Sequence, residues 1–568
     1  MRKLYFRFLV LVFGIGVIYV LNILTTNLIF NPTSKKFLHT DKTTAKEKDD
    51  AEQLGLVRNV EIKTHGGSYD KEPIFRQDVE KPSYHQMSES KYIEELAENS
   101  KVSESTMKLR IPYKLVHLDL KGAPPKMSYI VNELLPLIHS AGANGLLVEY
   151  EDTFPFHGSY LSQLYNGVYT LDEIKWLLRE AANLNFEVIP LIQTFGHMEY
   201  VLKKKPFQSL RENPRYAQTI CPKQNTSWNL ITQLIDQVIE LHPASNYIHI
   251  GCDEAYQVSE CPLCKNTDPK TIFVDHVTRI SNYIKTKYKK NVIIWDDMLR
   301  KYYTNELVSS NLGSTTEVMI WDYTEDVERL IPNYLMDMYT SVFPHIWVAS
   351  AFKGAFGEKL YNVNINRHAL NHLSWLKTLG NYQAKIKNFR GFALTGWSRY
   401  DHFAVLCELL PVAVPSLLLN LLILKHRNVR ESIKALGVEL KCDLVNVELP
   451  IGYCQWPGDR LYNQLIELES LQNQITSLIA RTDSSGWFTR WNILNNYTNP
   501  SRLVQFYNDT TNLKTLLEMS RIKLEEQLST YYQKSITSQW LSMVLEPLEF
   551  KLNIIIKDIQ NLSKRTSW

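Results

Sequence analysis

Short apolar runs recur along the middle of the chain, and each of them ends in polar or aromatic residues. The runs are rich in Val, Ile and Leu, as strands buried on both faces are. Helical patterns lie between several of them, for example LDEIKWLLREAANLN at 171–185. The runs occupy 113–120, 145–152, 187–194, 247–254, 292–297, 317–323, 345–352 and 391–397. Eight strands that alternate with helices predict an α/β fold, a (β/α)8 or TIM barrel. A doubly wound sheet usually has fewer strands and often a glycine-rich phosphate turn, and the chain has no GxGxxG motif.

The N-terminus carries the longest apolar stretch of the chain. FLVLVFGIGVIYVLNIL at 8–24 is long enough to cross a bilayer as a helix. Arg2, Lys3 and Arg7 precede it and mildly favour a cytoplasmic N-terminus. No A-x-A cleavage site follows, so a retained anchor is favoured over a cleaved signal peptide. The pattern therefore predicts contact with a membrane through residues 8–30.

Changes in composition divide the chain into four predicted parts. Residues 1–30 form the cytoplasmic tip and the anchor, and residues 31–108 form a largely disordered stem rich in Lys, Glu, Asp, Ser and Gln. The barrel is expected over 109–425. Amphipathic segments such as LYNQLIELESLQNQITSLIART predict a helical C-terminal domain over 426–568.

Charge and cysteine content restrict the partners of the chain. The net charge of +3 gives no indication of a nucleic-acid partner. Cys261 and Cys264 form a CPLC pair, which fits a disulfide in an oxidising lumen or two ligands of a zinc site. No second CxxC or HxxxH accompanies the pair, so no metal is predicted, and no cofactor either. The following asparagines stand in N-x-S/T sequons, which fit a luminal body: Asn225, Asn496, Asn508 and Asn561.

Two adjacent carboxylates, Asp253 and Glu254, end the fourth apolar run in YIHIGCDEAY. The carboxyl ends of the strands build the active site of a TIM barrel. Other polar residues stand at the same end of their runs: Glu149, Glu151, Gln193, Asp296, Asp297 and Asp322. An acid pair there indicates a Mg²⁺ or Ca²⁺ site, an ion pair with a nearby Arg or Lys, or acid catalysis on a glycosidic bond.

Three tryptophans favour the glycosidic interpretation. Trp295, Trp321 and Trp397 fall at or near the ends of the fifth, sixth and eighth runs. One tryptophan at such a position can simply fill the mouth of the barrel. Three of them around two acids predict a sugar pocket, because the CH faces of a pyranose stack on indole rings.

Four motifs, in order along the chain, resemble a known family. HIGCDE at 249–254 resembles the His/Gly/Asp-Glu motif of glycoside hydrolase family 20, the β-N-acetylhexosaminidases. IQTFGHMEYVL at 192–202, WDDMLR at 295–300 and TGWSRYDHFAVLCELLPVAVPSL at 395–417 resemble the hexosaminidase D branch of that family. The resemblance implies an exo-acting enzyme that hydrolyses terminal non-reducing N-acetyl-β-D-hexosamine, with N-acetylgalactosamine favoured over N-acetylglucosamine.

The resemblance also implies a mechanism in which the substrate supplies the nucleophile, one of the exceptions to the usual two-carboxylate scheme. The sugar's 2-acetamido oxygen attacks the anomeric carbon, and the stereochemistry is retained. Glu254 is then the catalytic acid and base, and Asp253 orients the acetamide. An ionised Asp253 is expected to keep Glu254 protonated, because like charges oppose a second ionisation.

Further positions are implied as substrate-binding residues: Glu151, Gln193, His197, Trp295, Asp297, Trp321, Tyr323 and Trp397. Tyr323 or Tyr400 is expected to donate a hydrogen bond to the acetamide carbonyl. Asp297 is expected to bind a sugar hydroxyl or to cap a helix. The chain departs from larger family members at Gln193, where they have Asp, and near Lys121, where they have a substrate-gripping Arg.

The predicted partner is a glycan or glycoconjugate with a terminal β-linked N-acetylhexosamine, and a homodimer is allowed. The anchor predicts a single-pass type II membrane protein in the Golgi or secretory lumen. The hexosaminidase D branch is largely known as cytosolic or nuclear, which is the alternative. Two other functions stay open at this point: a type II Golgi glycosyltransferase, whose anchor and stem look similar, and an inactive carbohydrate-binding barrel.

Overall fold

A computed structural model describes residues 109–442 and 454–565 of the 568-residue chain. Eight parallel strands close into a barrel in which consecutive strands are neighbours and β8 pairs with β1. The strands are β1 Tyr113–Asp119, β2 Gly145–Glu149, β3 Glu187–Leu191, β4 Tyr247–His249, β5 Asn291–Trp295, β6 Glu317–Trp321, β7 His345–Lys353 and β8 Asn388–Gly396. Each predicted apolar run overlaps one strand, and the predicted TIM barrel is confirmed.

A main helix follows each strand of the barrel. These helices are α1 Leu135–Ser140, α2 Leu171–Asn183, α3 Asn225–Leu241, α4 Pro269–Tyr288, α5 Thr304–Ser310, α6 Asn333–Val342, α7 Ile365–Tyr382 and α8 Leu410–His426. A short helix Met127–Tyr129 and a π-helical turn Ile130–Leu134 lead into α1. The remaining short α-helices are Glu199–Leu202, Leu312–Thr315 and Val327–Leu330, and the 3₁₀ turns are Glu151–Thr153, Leu161–Gln163, Lys205–Leu210 and Asp297–Lys301.

Helix α2 shows how local sequence defines these elements. Thr170 accepts a hydrogen bond from the backbone N–H of Glu173 at 3.2 Å, and the Glu173 side chain accepts one from the Thr170 N–H at 2.8 Å. This reciprocal capping satisfies two N–H groups that the first turn leaves unpaired. Ile174, Leu177 and Ala181 follow at steps of three and four residues, so one face of the helix is buried on the barrel.

The amino-terminal end of the barrel is closed by side chains. Trp347 donates from its indole N–H to Glu317 at 2.7 Å, and Arg390 donates to the same carboxylate at 2.6 Å. Tyr113 stacks on Trp347 with ring centroids 5.4 Å apart. Because this end is filled, the carboxyl ends of the strands are left as the place for a ligand, as in other barrels of this type.

Six helices follow the barrel, as the amphipathic pattern predicts. They are α9 Val429–Glu439, α10 Asp459–Asp483, α11 Arg490–Asn495, α12 Pro500–Tyr531, α13 Lys534–Val544 and α14 Glu546–Ser563. Helix α8 is apolar on all sides because it contacts β7 and β8 on one side and α10 on the other. A disulfide joins Cys442 to Cys454.

The C-terminal helices also contact loops at the mouth of the barrel. The backbone N–H of Lys126, after β1, donates to the carbonyl of Tyr531 at 2.7 Å. Arg399, after β8, donates to the side chain of Gln539 at 2.9 Å. The helical region therefore supports the end of the barrel at which the site lies.

Within 109–442 and 454–565, no helix is both long and apolar enough to span a bilayer. The predicted anchor at 8–30 and stem at 31–108 lie outside the described residues. Both of them, and the homodimer, stay predictions.

Candidate active site

The turn after β4 brings two adjacent carboxylates to one place. The strand ends at His249, and Gly251, Cys252 and Glu254 then take left-handed backbone angles, with φ of 66°, 72° and 47°. Neighbouring residues of a regular strand face opposite ways. The left-handed turn removes that alternation, so Asp253 and Glu254 can both reach one ligand.

Two glycines allow the loops after β3 and β4 to touch. A Cβ on Gly251 would lie 1.9 Å from the side-chain oxygen of Gln193, and one on Gly196 would lie 2.1 Å from the carbonyl oxygen of Asp253. Neither position has room for a side chain. The close approach places His197, the residue after Gly196, against the two acids.

His197 contacts both members of the acid pair. Its Nε2 lies 3.1 Å from Glu254 Oε2 and 3.5 Å from Asp253 Oδ2. Asp253 is buried, and Glu254 is partly exposed at the mouth of the barrel. The structure thus brings together the three residues that the sequence placed at the centre of the chemistry.

Asp297, on the loop after β5, holds the acid pair from the other side. Its Oδ2 accepts a hydrogen bond from the backbone N–H of Glu254 at 2.9 Å, and its Oδ1 accepts one from the indole N–H of Trp321 at 3.2 Å. Both oxygens are engaged by the protein. This arrangement supports a positioning role for Asp297, which fixes the backbone of Glu254 and the ring of Trp321.

Tyr256 is a contact of the acid that the sequence argument missed. Its hydroxyl donates to Glu254 Oε1 at 2.9 Å, so each oxygen of Glu254 has a partner, Tyr256 on one and His197 on the other. Tyr256 stands two residues after Glu254 in the same loop. Its place directly beside the acid pair was the signal that could have identified it.

The acids differ in how readily they hold a proton. Burial, followed by the charge of Glu254, raises the pKa of Asp253 to about 6, although His197 opposes that rise. Burial and the charge of Asp253 raise the pKa of Asp297 to about 7. Burial also acts to raise the pKa of Glu254, but the hydrogen bond and charge of His197 outweigh it and the pKa is lowered.

This order is the reverse of the sequence-based expectation, in which Glu254 holds the proton and Asp253 is ionised. The reason is that Asp253 is buried more deeply than Glu254, while His197 and Tyr256 both hydrogen-bond Glu254. Burial acts to lower the pKa of His197, but the charges of Asp253 and its neighbours raise it well above its ordinary value. His197 therefore carries a positive charge that favours ionised Glu254 in the unliganded protein.

Aromatic rings line the space next to the acids. Trp321 stacks on Tyr323 with centroids 5.1 Å apart and an angle of 27° between the rings, and Tyr323 lies 6.5 Å from Trp397. Trp295 is 1% exposed and lies 6.1 Å from Trp397, so it forms the floor of the site. Tyr400, the other candidate for the acetamide, is 41% exposed.

Several buried polar atoms of the site lack a hydrogen-bond partner in the described part of the chain. They are Asp253 Oδ1, Gln193 Oε1, Trp295 Nε1 and Trp397 Nε1. A buried polar atom without a partner costs about 1–3 kcal/mol, so such atoms are rare unless a ligand uses them. Asp253 Oδ1 is the one in the acid pair, and it is free to accept a hydrogen bond from a bound molecule.

A second group of acids lies at the ends of β1 and β2, where the parallel register pairs Asp119 with Glu149. Glu149 Oε2 lies 3.1 Å from His117 Nε2, and Gln193 donates to Glu149 Oε1 at 3.1 Å. Burial opposes ionisation here as well. The charge of Lys121 and the hydrogen bond of His117 outweigh it and hold the pKa of Glu149 well below its ordinary value.

Lys121 is the centre of this second group. Its Nζ lies 3.7 Å from Asp119 and 3.9 Å from Glu151, and 5.1 Å from the ring centroid of Trp397. Glu151 also contacts His402, from the loop after β8. We call Asp119, Lys121, Glu149, Glu151 and His402 the mouth ion network. The described partners of Glu151 are Lys121 and His402, and its expected role in binding substrate stays a prediction.

Comparison with known proteins gives one consistent result. Residues 129–344 match the family described as "Glycosyl hydrolase family 20, catalytic domain". Hexosaminidase D of Bos taurus is 42% identical over 330 residues, which are 57% of this chain and 94% of that protein. Hexosaminidase D of Homo sapiens is 35% identical over 467 residues, which are 79% of this chain and 95% of that protein. A solved family 20 exo-β-N-acetylglucosaminidase from Vibrio harveyi, in complex with N-acetylglucosamine, is 17% identical with a TM-score of 0.44, covering 60% of this chain and 59% of that one.

Proposed function

This chain belongs to glycoside hydrolase family 20, and from that premise we propose that it releases terminal, non-reducing β-linked N-acetylhexosamine from glycans by substrate-assisted retaining catalysis. One observation carries the proposal: His197 contacts both Asp253 and Glu254 at the mouth of the barrel. Asp253 Oδ1 stands ready there for a donor on the substrate.

In the first step the acetamide oxygen of the bound sugar attacks the anomeric carbon. The bond from that carbon to the leaving oxygen breaks, and Glu254 gives its proton to the leaving oxygen. The product is a cyclic oxazolinium ion. Asp253 accepts the acetamide N–H on Oδ1, and its negative charge stabilises the positive charge that develops on the ring.

In the second step a water molecule attacks the anomeric carbon from the side that the leaving group vacated. Glu254, now ionised, takes a proton from the water, and the oxazolinium ring opens to restore the acetamide. Two displacements at one carbon give back the β configuration. The protein therefore needs one acid and one charge-stabilising carboxylate. It needs no nucleophile of its own, because the substrate supplies one.

The substrate itself can correct the protonation order of the unliganded site. An N–H donated to Asp253 favours the ionised form of that carboxylate and lowers its pKa. His197 Nε2 contacts both carboxylates, so it can give its proton to Glu254 and take the proton that Asp253 releases. Binding of the acetamide thus prepares Glu254 for its role as an acid.

The aromatic rings supply the sugar surface in this proposal. Trp321 and Trp397 offer faces to the pyranose, and Tyr323 lies between them. We assign the donor to the acetamide carbonyl to Tyr323, because Tyr400 is largely exposed while Tyr323 lies among the pocket rings. The preference for N-acetylgalactosamine rests on the resemblance to the hexosaminidase D branch.

The test compares three p-nitrophenyl β-glycosides: those of N-acetylgalactosamine, of N-acetylglucosamine and of glucose. We expect release from the two N-acetyl sugars, faster from the first, and none from the glucoside, which lacks the attacking acetamide. Glu254→Gln should lower kcat by about 10²–10⁴-fold. Glu240→Gln, an exposed carboxylate on α3, is the matched control and should leave the rate unchanged.

Full turnover by Glu254→Gln, or equal turnover of the glucoside, would end the proposal. Sugar binding without hydrolysis in the wild-type chain would instead indicate an inactive barrel. The transferase alternative predicts activity that depends on a nucleotide sugar, which the same assay with and without such a donor detects.

We also propose that the body of the protein lies in the lumen of the secretory pathway. The apolar run at 8–30 and the Cys442–Cys454 disulfide support this placement, because disulfides persist mainly in oxidising compartments. The four sequon asparagines are all exposed. Enzymatic removal of N-glycans should increase the gel mobility of the expressed chain, and unchanged mobility would favour the cytoplasm or nucleus.

A further inference from the structure

Four buried side chains from two loops converge behind the acid pair. They are Glu212 and Cys221, from the segment between β3 and α3, and Cys261 and Cys264, from the loop between β4 and α4. One potential ligand atom from each lies within 4.8 Å of every other. All three cysteines are free thiols rather than members of a disulfide.

The separations of the sulfurs fit a shared metal ion. Cys221 Sγ lies 3.3 Å from Cys261 Sγ and 3.7 Å from Cys264 Sγ. Tetrahedral zinc with Zn–S bonds of about 2.3 Å places its sulfurs about 3.8 Å apart. A disulfide needs about 2.05 Å, which neither pair approaches.

Glu212 provides a second, independent observation. Its Oε1 accepts hydrogen bonds from the backbone N–H groups of Glu260 and Cys261, at 2.9 Å and 3.1 Å, and these bonds fix the orientation of the carboxylate. Its Oε2 is buried and has no hydrogen-bond partner, although the residue is 0% exposed. A buried carboxylate oxygen beside three thiols is costly unless a cation satisfies it.

We propose that Glu212, Cys221, Cys261 and Cys264 bind one structural Zn²⁺ ion. Thiolates select zinc over the hard cations Mg²⁺ and Ca²⁺, and a carboxylate oxygen is an accepted fourth ligand. Four protein ligands leave no open position for water or substrate, which is the arrangement of structural sites. The thiols lose their protons when the ion binds.

The position of the site gives it a role in holding the active-site loops. The loop that supplies Cys261 and Cys264 also carries Glu254 and Tyr256. The segment that supplies Cys221 is held next to His197, because the N–H of Ile220 donates to the carbonyl of Phe195 at 3.1 Å. The ion would therefore join the two loops whose contact sets the distance from His197 to the acid pair.

The CPLC pair alone does not predict a zinc site, because no second paired motif accompanies it. The structure shows why that argument misses the site: Cys221 stands 40 residues before Cys261, and the fourth ligand is a glutamate. The sequence also allows a disulfide between Cys261 and Cys264. With that disulfide the chain would have three free thiols instead of five.

The test is the metal content of the full chain, purified without a polyhistidine tag and without chelators. Elemental analysis should find close to one zinc per chain. Thiol titration after unfolding in a chelator should find five reactive thiols, the free cysteines of the structure. Replacement of the ion by Co²⁺ should give thiolate-to-cobalt charge-transfer absorption with the ligand field of a tetrahedral site.

Two variants and one control locate the ion. Cys261→Ser/Cys264→Ser should lower the zinc content at least tenfold, and Glu212→Gln should weaken retention of zinc against a competing chelator. Cys407→Ser, which removes a buried free thiol elsewhere, should keep the wild-type content. Wild-type protein with no zinc overturns the proposal. Five thiols would then indicate a cluster without metal, and three thiols would indicate a disulfide. This result does not depend on the folding of any variant or on the glycosidase activity.

Discussion

The mouth of the barrel holds two groups of buried acids that differ in their partners. The mouth ion network surrounds Lys121 with carboxylates, and His402 also contacts Glu151, although burial and the charge of Lys203 lower the pKa of His402 well below its ordinary value. The pair Asp253 and Glu254 shares a single histidine, and Asp253 keeps an oxygen without a partner. Glu254 is more exposed than the acids of the network, whereas Asp253 is buried as they are, so the open oxygen of Asp253 reflects its partners rather than its depth.

That difference separates a structural group from a reactive one. Lys121 and His117 hold the pKa of Glu149 well below its ordinary value, whereas burial raises the pKa of Glu151 well above its own, although Lys121 opposes that rise. The pKa of Asp253 is raised to about 6, where a proton is exchanged easily near neutral pH. The two groups therefore differ less in proton affinity than in one open acceptor, Asp253 Oδ1, which has no counterpart among the side chains of the mouth ion network.

Among the variants that test this comparison, Asp253→Asn should have the largest effect on kcat. The variant keeps the shape of the side chain but removes the charge that balances the oxazolinium ion, so kcat should fall by about 10²–10³-fold, as it does when one stabilising group of a charged intermediate is removed. Its unfolding midpoint in urea should stay close to that of the wild type, because a poorly compensated charge is lost. A wild-type kcat in this variant would contradict the comparison.

Lys121→Met should instead lower the free energy of unfolding. Removing the lysine shared by Asp119 and Glu151 leaves Asp119 without an ion-pair partner and Glu151 with His402 alone, and breaking a buried pair in this way costs about 3–5 kcal/mol of unfolding free energy. Equilibrium urea unfolding measures it. Lys175→Met, an exposed lysine on α2, is the control and should change little. If both variants unfold at the wild-type midpoint, the network is not structural.

His197→Gln should move the pH profile of kcat/KM. The mechanism needs one proton on the pair, so activity is lost as the pH falls through the lowered pKa of Glu254 and as it rises through the pKa of about 6 of Asp253. The positive charge of His197 lowers the pKa values of both acids, and removing it raises both. The acidic limb and the basic limb should therefore both shift to higher pH. A shift to lower pH, or none, would show that His197 does not set the protonation of the pair.

Trp321→Phe should have the smallest effect. Phenylalanine keeps the stacking on Tyr323 but loses the hydrogen bond to Asp297, worth about 1 kcal/mol, which corresponds to a rise in KM of about fivefold. The matched control is Trp487→Phe, an exposed tryptophan in the C-terminal helical region. An equal rise in KM for Trp487→Phe would contradict a contact between Trp321 and the sugar.

The barrel and its acid pair were accessible to sequence reasoning because their signals are local. Apolar runs mark the strands, and the acids follow one such run directly. The mouth ion network was not accessible, because His402 and Glu151 meet across 251 residues, and nothing in the motif that contains His402 indicates Glu151 as its partner. Glu151 was therefore assigned to substrate, although the structure gives it Lys121 and His402 as partners.

The order of proton affinities required coordinates. It depends on a difference in surroundings: Asp253 is buried more deeply, and His197 and Tyr256 hydrogen-bond Glu254. No spacing in the sequence encodes such a difference. The roles of Asp253 and Glu254 are inferred from the family resemblance, whereas their behaviour in the unliganded site comes from packing.

The left-handed backbone at Glu254, with φ of 47°, bears on how this protein evolves. That conformation costs a residue with a Cβ about 1–2 kcal/mol, and glycine avoids the penalty. Glycine at this position would relieve the backbone penalty but would remove the carboxylate and its contacts with His197 and Tyr256. The conformation therefore sets a limit on how far stability and the acid pair can be improved together.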